Sequence, residues 1–144
     1  MKLVKNQKSF NKIKVLALLM ACLMFTMVFS NTAHAATANG TVNGIAVHAS
    51  LSRNQTSASA STTSDSSSIV HQVALTLWYY YTGPNGAVYT SKSDSKTATN
   101  SVSVSVTGTG SNVATAGAIS NHHVYAGAYT WSVTLRDPAN FVGN

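Results

Sequence analysis

The chain contains no glutamate, three aspartates and a single cysteine, and these shortages exclude more than any motif includes. Paired carboxylates, the usual apparatus of glycoside hydrolysis and acid–base catalysis, are hard to assemble from Asp65, Asp94 and Asp137 alone. Asp65 and Asp94 lie in Ser-rich polar stretches and Asp137 precedes a proline, so all three read as solvated loop carboxylates. Serine is abundant, yet no Gly-x-Ser-x-Gly elbow occurs and no Ser-His-Asp set stands out. The expectation is a protein that is not an enzyme and needs no cofactor. Good helix formers are scarce beyond residue 35 and no 3.6-residue apolar period appears there, which argues against helical architecture.

The opening segment accounts for most of the positive charge. Lys2, Lys5, Lys8, Lys12 and Lys14 precede the apolar run Val15 to Phe29 and the small-residue site Ala33-His34-Ala35, the pattern of a secretory signal peptide. Cleavage after Ala35 is expected, dividing the chain into a leader, residues 1–35, and a single domain, residues 36–144. A membrane anchor needs about 20 consecutive apolar residues, more than this run supplies. A lipoprotein box around Cys22 is disfavoured because the run continues apolar to Phe29. Cys22 leaves with the leader, so the exported domain has neither disulfide nor thiolate chemistry. The formal charge of +6 falls to a slight excess of Arg53, Lys92, Lys96 and Arg136 over the three aspartates. Nucleic-acid binding, which needs clustered cations, is not expected. The implied location is extracellular, by bacterial-type export.

What remains is β-periodic. Residues 69–81 alternate, with Val73, Leu75, Leu77, Tyr79 and Tyr81 on one face and Ala74, Thr76, Trp78 and Tyr80 on the other. Gly83-Pro84-Asn85-Gly86 turns this strand back into residues 87–90. Residues 41–52 read as a first strand or strand pair with turn signals at Asn39-Gly40 and Asn43-Gly44. Residues 53–68 lack large apolar side chains and read as a long exposed loop, with a weak edge strand at Ser57–Ser61 as the alternative. Residues 91–100 read as a strand end followed by a solvated loop. Ser101–Val106 alternates strictly, residues 113–119 are loop or strand, and residues 122–136 form a second central strand ended by Asp137-Pro138. Six or seven short strands imply an antiparallel β-sandwich, with a closed barrel as the alternative.

Ala126-Gly127-Ala128-Tyr129-Thr130-Trp131 resembles the start of the sixth strand of immunoglobulin-like sandwiches, where a glycine precedes a corner tyrosine. Trp131 stands where antibody domains carry cysteine. The resemblance implies an immunoglobulin-like arrangement and no particular function.

Three groups of residues are candidates for chemistry. Trp78, Tyr79, Tyr80, Tyr81 and Tyr89 form an aromatic cluster that cannot all face one core, and exposed members would stack on sugar rings or anchor a protein partner. His48, His71, His122 and His123 read as surface or strand-edge histidines, with a metal site built from His48, His71 and either His122 or His123 as the weak alternative. Adjacent His122 and His123 point to opposite faces of an extended strand, so their spacing supplies no convergence. Residues 101–120 read as a low-charge hairpin of the kind that lines a transmembrane barrel. The leading expectation is a secreted non-catalytic protein that binds a cell-surface polysaccharide or protein. A secreted antimicrobial, membrane-active β protein is the alternative.

Overall fold

A computed structural model describes residues 34–143, which are all β with no helix. The expected leader lies outside the described residues except for His34 and Ala35, the first two positions of β1. Eight strands run β1 His34–Val42, β2 Ile45–Arg53, β3 Ser57–Ser64, β4 Val70–Gly83, β5 Gly86–Thr99, β6 Ser101–Thr107, β7 Ser111–Ala126 and β8 Tyr129–Asp137. They form two four-stranded antiparallel sheets, ordered β1-β2-β3-β6 and β5-β4-β7-β8. The sheets face each other across one apolar layer, as in a sandwich.

Turn chemistry sets the hairpins. Asn43 and Gly44 both adopt positive φ, 49° and 77°, the backbone a two-residue turn needs to match strand twist, and Val42 pairs directly with Ile45. Pro84 and Asn85 close the β4–β5 hairpin between paired Gly83 and Gly86. Asn39-Gly40 is not a turn but lies inside β1, where the indole of Trp131 packs so closely on Gly40 that a Cβ there would overlap it.

The main core draws Ala49, Leu51, Ala58, Ala60 and Val102, Val104, Val106 from the first sheet, and Val73, Leu75, Leu77, Tyr79, Ala118 and Leu135 from the second. A smaller cluster holds Val42, Val47, Ile69 and Val124. Val104, the middle of the Ser-Val alternation, is buried while its serine neighbours are exposed, as period 2 requires.

Several expectations are corrected. Residues 57–64 are not an exposed loop but the interior strand β3, hydrogen-bonded to β2 and β6, with Ala58, Ala60 and Thr62 facing the core. Small side chains suffice there because Leu75 and Leu77 of the opposite sheet supply the volume. Residues 91–99 continue β5 rather than leaving it, with β4 as the template along their whole length. Residues 122–136 are two strands, split by a turn at Gly127-Ala128, and β8 is an edge strand rather than a central one. Tyr129 therefore begins a hairpin arm and is 59 % exposed, so it makes no tyrosine corner. Residues 101–120 are not a hairpin: β6 pairs with β3 and β7 with β4 and β8, in different sheets. Asp137 is not solvated but 5 % exposed, its Oδ2 3.2 Å from Arg53 Nε.

Candidate binding face and buried histidines

The aromatic cluster divides by strand parity. Tyr79 is in the core with its hydroxyl 3.1 Å from Thr109 Oγ1, and Tyr81 packs beside it with ring centroids 6.3 Å apart. Trp78 and Tyr80 take the outer face of the second sheet. Tyr80 pairs directly with Tyr89 of β5, and their rings lie 4.8 Å apart at 41°. Both remain accessible, at 47 % and 38 %. Partial burial and the neighbouring Tyr80 raise the pKa of the Tyr89 hydroxyl.

Trp78 is on the same face but covered. Phe141 of the C-terminal tail meets it edge-on at 5.3 Å and sits over Gly117, where a Cβ would collide with the phenyl ring. Arg136 Nη1 donates to the Phe141 carbonyl at 2.7 Å and ties the tail down.

The rest of this face carries little charge, and the β4–β7 register shifts beside Trp78 and Tyr80. Directly paired outward positions run Trp78–Ser91, Thr76–Ser93, Ala74–Ser95 and Gln72–Thr97 across β4 and β5, and continue to Asn121 and His123 on β7 and to Ser132 and Thr134 on β8. Among the described residues of these four strands, Arg136 is the one charged side chain with this parity. Lys92, Asp94 and Lys96 have the opposite parity on β5, and Lys92 Nζ donates to the Thr107 carbonyl at the tip of β6. Inward charges on a long edge strand also oppose edge-to-edge pairing with another sheet. Tyr125 was missed as a candidate although it shares this face; its place beside exposed His123 follows from the alternation of β7 once that strand is recognised.

The histidines separate in the same way. His48 and His123 are exposed, His48 hydrogen-bonded to Asn39 Oδ1 and His123 stacked on Tyr125. His71 and His122 are buried between the sheets, not on the surface or at strand edges. Along β7, Ser120 and His122 fall between Ala118 of the main core and Val124 of the smaller cluster. His122 Nδ1 lies 2.6 Å from Thr62 Oγ1 of the opposite sheet and Nε2 lies 2.7 Å from Ser120 Oγ. A neutral imidazole meets both hydroxyls, donating to one and accepting from the other. Desolvation, and secondarily repulsion from His123, pushes its pKa down to about 4. His71 Nε2 is 2.9 Å from Ser64 Oγ while its buried Nδ1 has no hydrogen-bond partner, and desolvation lowers its pKa as well. Among the described residues no three His, Cys, Asp or Glu side chains converge as metal ligands do.

Sequence relatives do not decide the matter. No family model and no curated protein matches the chain. Among solved structures it is similar to the Salmonella enterica trimeric lipoprotein SadB, at 10 % identity over 88 % of this chain and 79 % of that one, with a TM-score of 0.22. A likeness at that score carries no argument about fold or function.

Proposed function

We propose that this is an exported, non-catalytic binding protein that engages a cell-surface polymer or protein through the outer face of the β5-β4-β7-β8 sheet. The carrying observation is the accessible Tyr80–Tyr89 pair, rings tilted at 41°, on a sheet face that also presents the hydroxyls and amide of Thr76, Ser93, Ser95, Thr97 and Gln72. Tyrosine offers a large apolar face with a polar tip and only two rotatable bonds, so it binds at small entropic cost.

The strand order supports the immunoglobulin-like part of the reading. Leaving β1 aside, the strands map in chain order onto A, B, C, C′, E, F and G, with A-B-E in one sheet and C′-C-F-G in the other. In that mapping strand F is β7. The membrane-active alternative has less support, because forming a barrel hairpin from residues 101–120 requires pulling β6 and β7 out of two different sheets.

Retention of the purified protein on insoluble polysaccharides and isolated cell walls tests the reading. Wild type should be retained and Tyr80→Ala should lose on the order of 2 kcal/mol of binding if Tyr80 lies at the centre of the contact. Equal retention of both proteins, or none of either, overturns it.

A further inference from the structure

Resting on the reading above, we infer that the ligand of this face is an uncharged, extended glycan chain that lies along β4 and β5 and touches an aromatic station at each end. One station is Tyr80 with Tyr89. The other is Tyr125, which pairs directly with Val70 at the opposite end of β4, is 39 % exposed, and is stacked on His123 at 6.4 Å and 20°. Ten residues of β4 separate Val70 from Tyr80, a span of roughly 33 Å at ~3.3 Å per residue.

The chemistry between the stations selects the ligand class. Gln72, Thr76, Ser93, Ser95 and Thr97 present hydroxyls and an amide, donors and acceptors that match the hydroxyls of a sugar chain. Thr76 and Ser93 already share a 2.8 Å hydrogen bond, which orders them before a ligand arrives.

Other occupants fit less well. Polyanions, nucleic acid included, need clustered cations, whereas Arg136 is the one cation of this parity among the described residues of the four strands and Lys92 and Lys96 have the opposite parity on β5. Protein interfaces concentrate their aromatic anchors at the centre of a patch and ring them with polar groups. Here the two accessible stations lie far apart, and the aromatic between them, Trp78, is covered by Phe141. Two weak stations on one rigid face gain from a ligand long enough to reach both, since the second contact becomes intramolecular.

Calorimetric titration with neutral β-1,4-linked oligomers of N-acetylglucosamine and of glucose, from dimers to octamers, reads this out. Affinity should be nearly flat among short oligomers and rise on the order of tenfold to a hundredfold once the chain spans both stations. Tyr125→Ala should abolish that rise, and so should Tyr80→Ala, leaving each variant with only the weak, length-independent binding of the station it keeps. Both side chains are exposed, and circular dichroism checks that the variants keep the fold. Equal affinity for dimer and octamer, or an octamer indifferent to Tyr125→Ala, overturns the two-station inference. Retention on cell walls without binding of any neutral oligomer, or tighter binding of polyglutamate than of the neutral oligomers, also overturns it while leaving the binding reading standing. Absence of retention on every surface removes the binding reading itself.

Discussion

Thr62 on β3 and His122 on β7 are joined by a 2.6 Å hydrogen bond that crosses from one sheet to the other through the interior. Burial of that imidazole between the sheets makes the packing of the sandwich sensitive to acid. In the unfolded chain His122 titrates near its ordinary value of 6.5, and in the folded protein at about 4. Between those values the unfolded state binds more protons, so stability is full above about pH 6.5 and is lost as the pH falls toward 4. The loss from His122 approaches about 3 kcal/mol by pH 4, and His71, shifted the same way, adds to it. Urea unfolding at pH 7.5 and 4.5 measures the difference. His122→Gln should flatten the pH dependence even where it lowers stability overall, and an unchanged slope in that variant would refute the assignment.

The second prediction concerns β3. Thr62→Val keeps the shape and removes the hydroxyl that meets His122 Nδ1, at an expected cost of about 1–3 kcal/mol for a buried group left unpaired. Ser61, one residue earlier, points outward and shares a 2.8 Å hydrogen bond with Ser50. Ser61→Ala should cost only a few tenths of a kcal/mol, because water replaces the lost partner. Similar urea midpoints for the two variants would mean that β3 is not an interior strand.

Arg53 and Asp137 supply the third. Arg53 bonds Asp137 through Nε at 3.2 Å and Thr115 Oγ1 through Nη1 at 2.8 Å, so one guanidinium ties the end of β2 to β7 and β8. Arg53→Met strips the guanidinium from a buried carboxylate, leaving His34 Nδ1 at 3.9 Å, and should cost about 3 kcal/mol. Arg53→Met combined with Asp137→Asn should recover part of that loss, a coupling read from the double-mutant cycle. Simple additivity of the two changes would show that the pair does not interact.

The fourth concerns the tail. Phe141→Ala removes the ring that covers Trp78, which should raise acrylamide quenching of tryptophan fluorescence and cost about 1 kcal/mol of stability. Gly117→Ala should do the same without touching either aromatic residue, because its Cβ occupies the place of the Phe141 ring. Trp131 packs inward against Gly40 and should contribute equally to the signal in all three proteins. Quenching that stays at the wild-type level in both variants would show that the tail does not shield Trp78.

Local pattern alone was enough to identify β4 and β6 and the turns at Asn43-Gly44 and Gly83–Gly86. Strict alternation of Leu or Val with polar residues has one low-energy solution, a strand with one face buried, and Asn-Gly accepts the positive φ that a tight hairpin imposes. The split between Tyr79 and Tyr81 on the inner face and Trp78 and Tyr80 on the outer one followed from the same parity. Supply likewise argued against a carboxylate-based site, since a chain without glutamate has few acids to pair.

Tertiary structure decided what no short window contains. Ser57–Ser64 has no large apolar side chain and becomes an interior strand only because β2 and β6 take up its backbone hydrogen bonds and the opposite sheet fills the space above its alanines. That His71 and His122 face inward follows from the parity of Val73 and Val124, but that Ser64 and Thr62 would arrive from the other sheet to meet them does not. Asp137 found Arg53 across 84 residues of chain, and Trp78 lost its exposure to a phenylalanine 63 positions away. Strand parity is a property of consecutive residues and can be read one segment at a time. Which strands become neighbours, and which outward side chains then share one face, is fixed by packing energy summed over the whole domain.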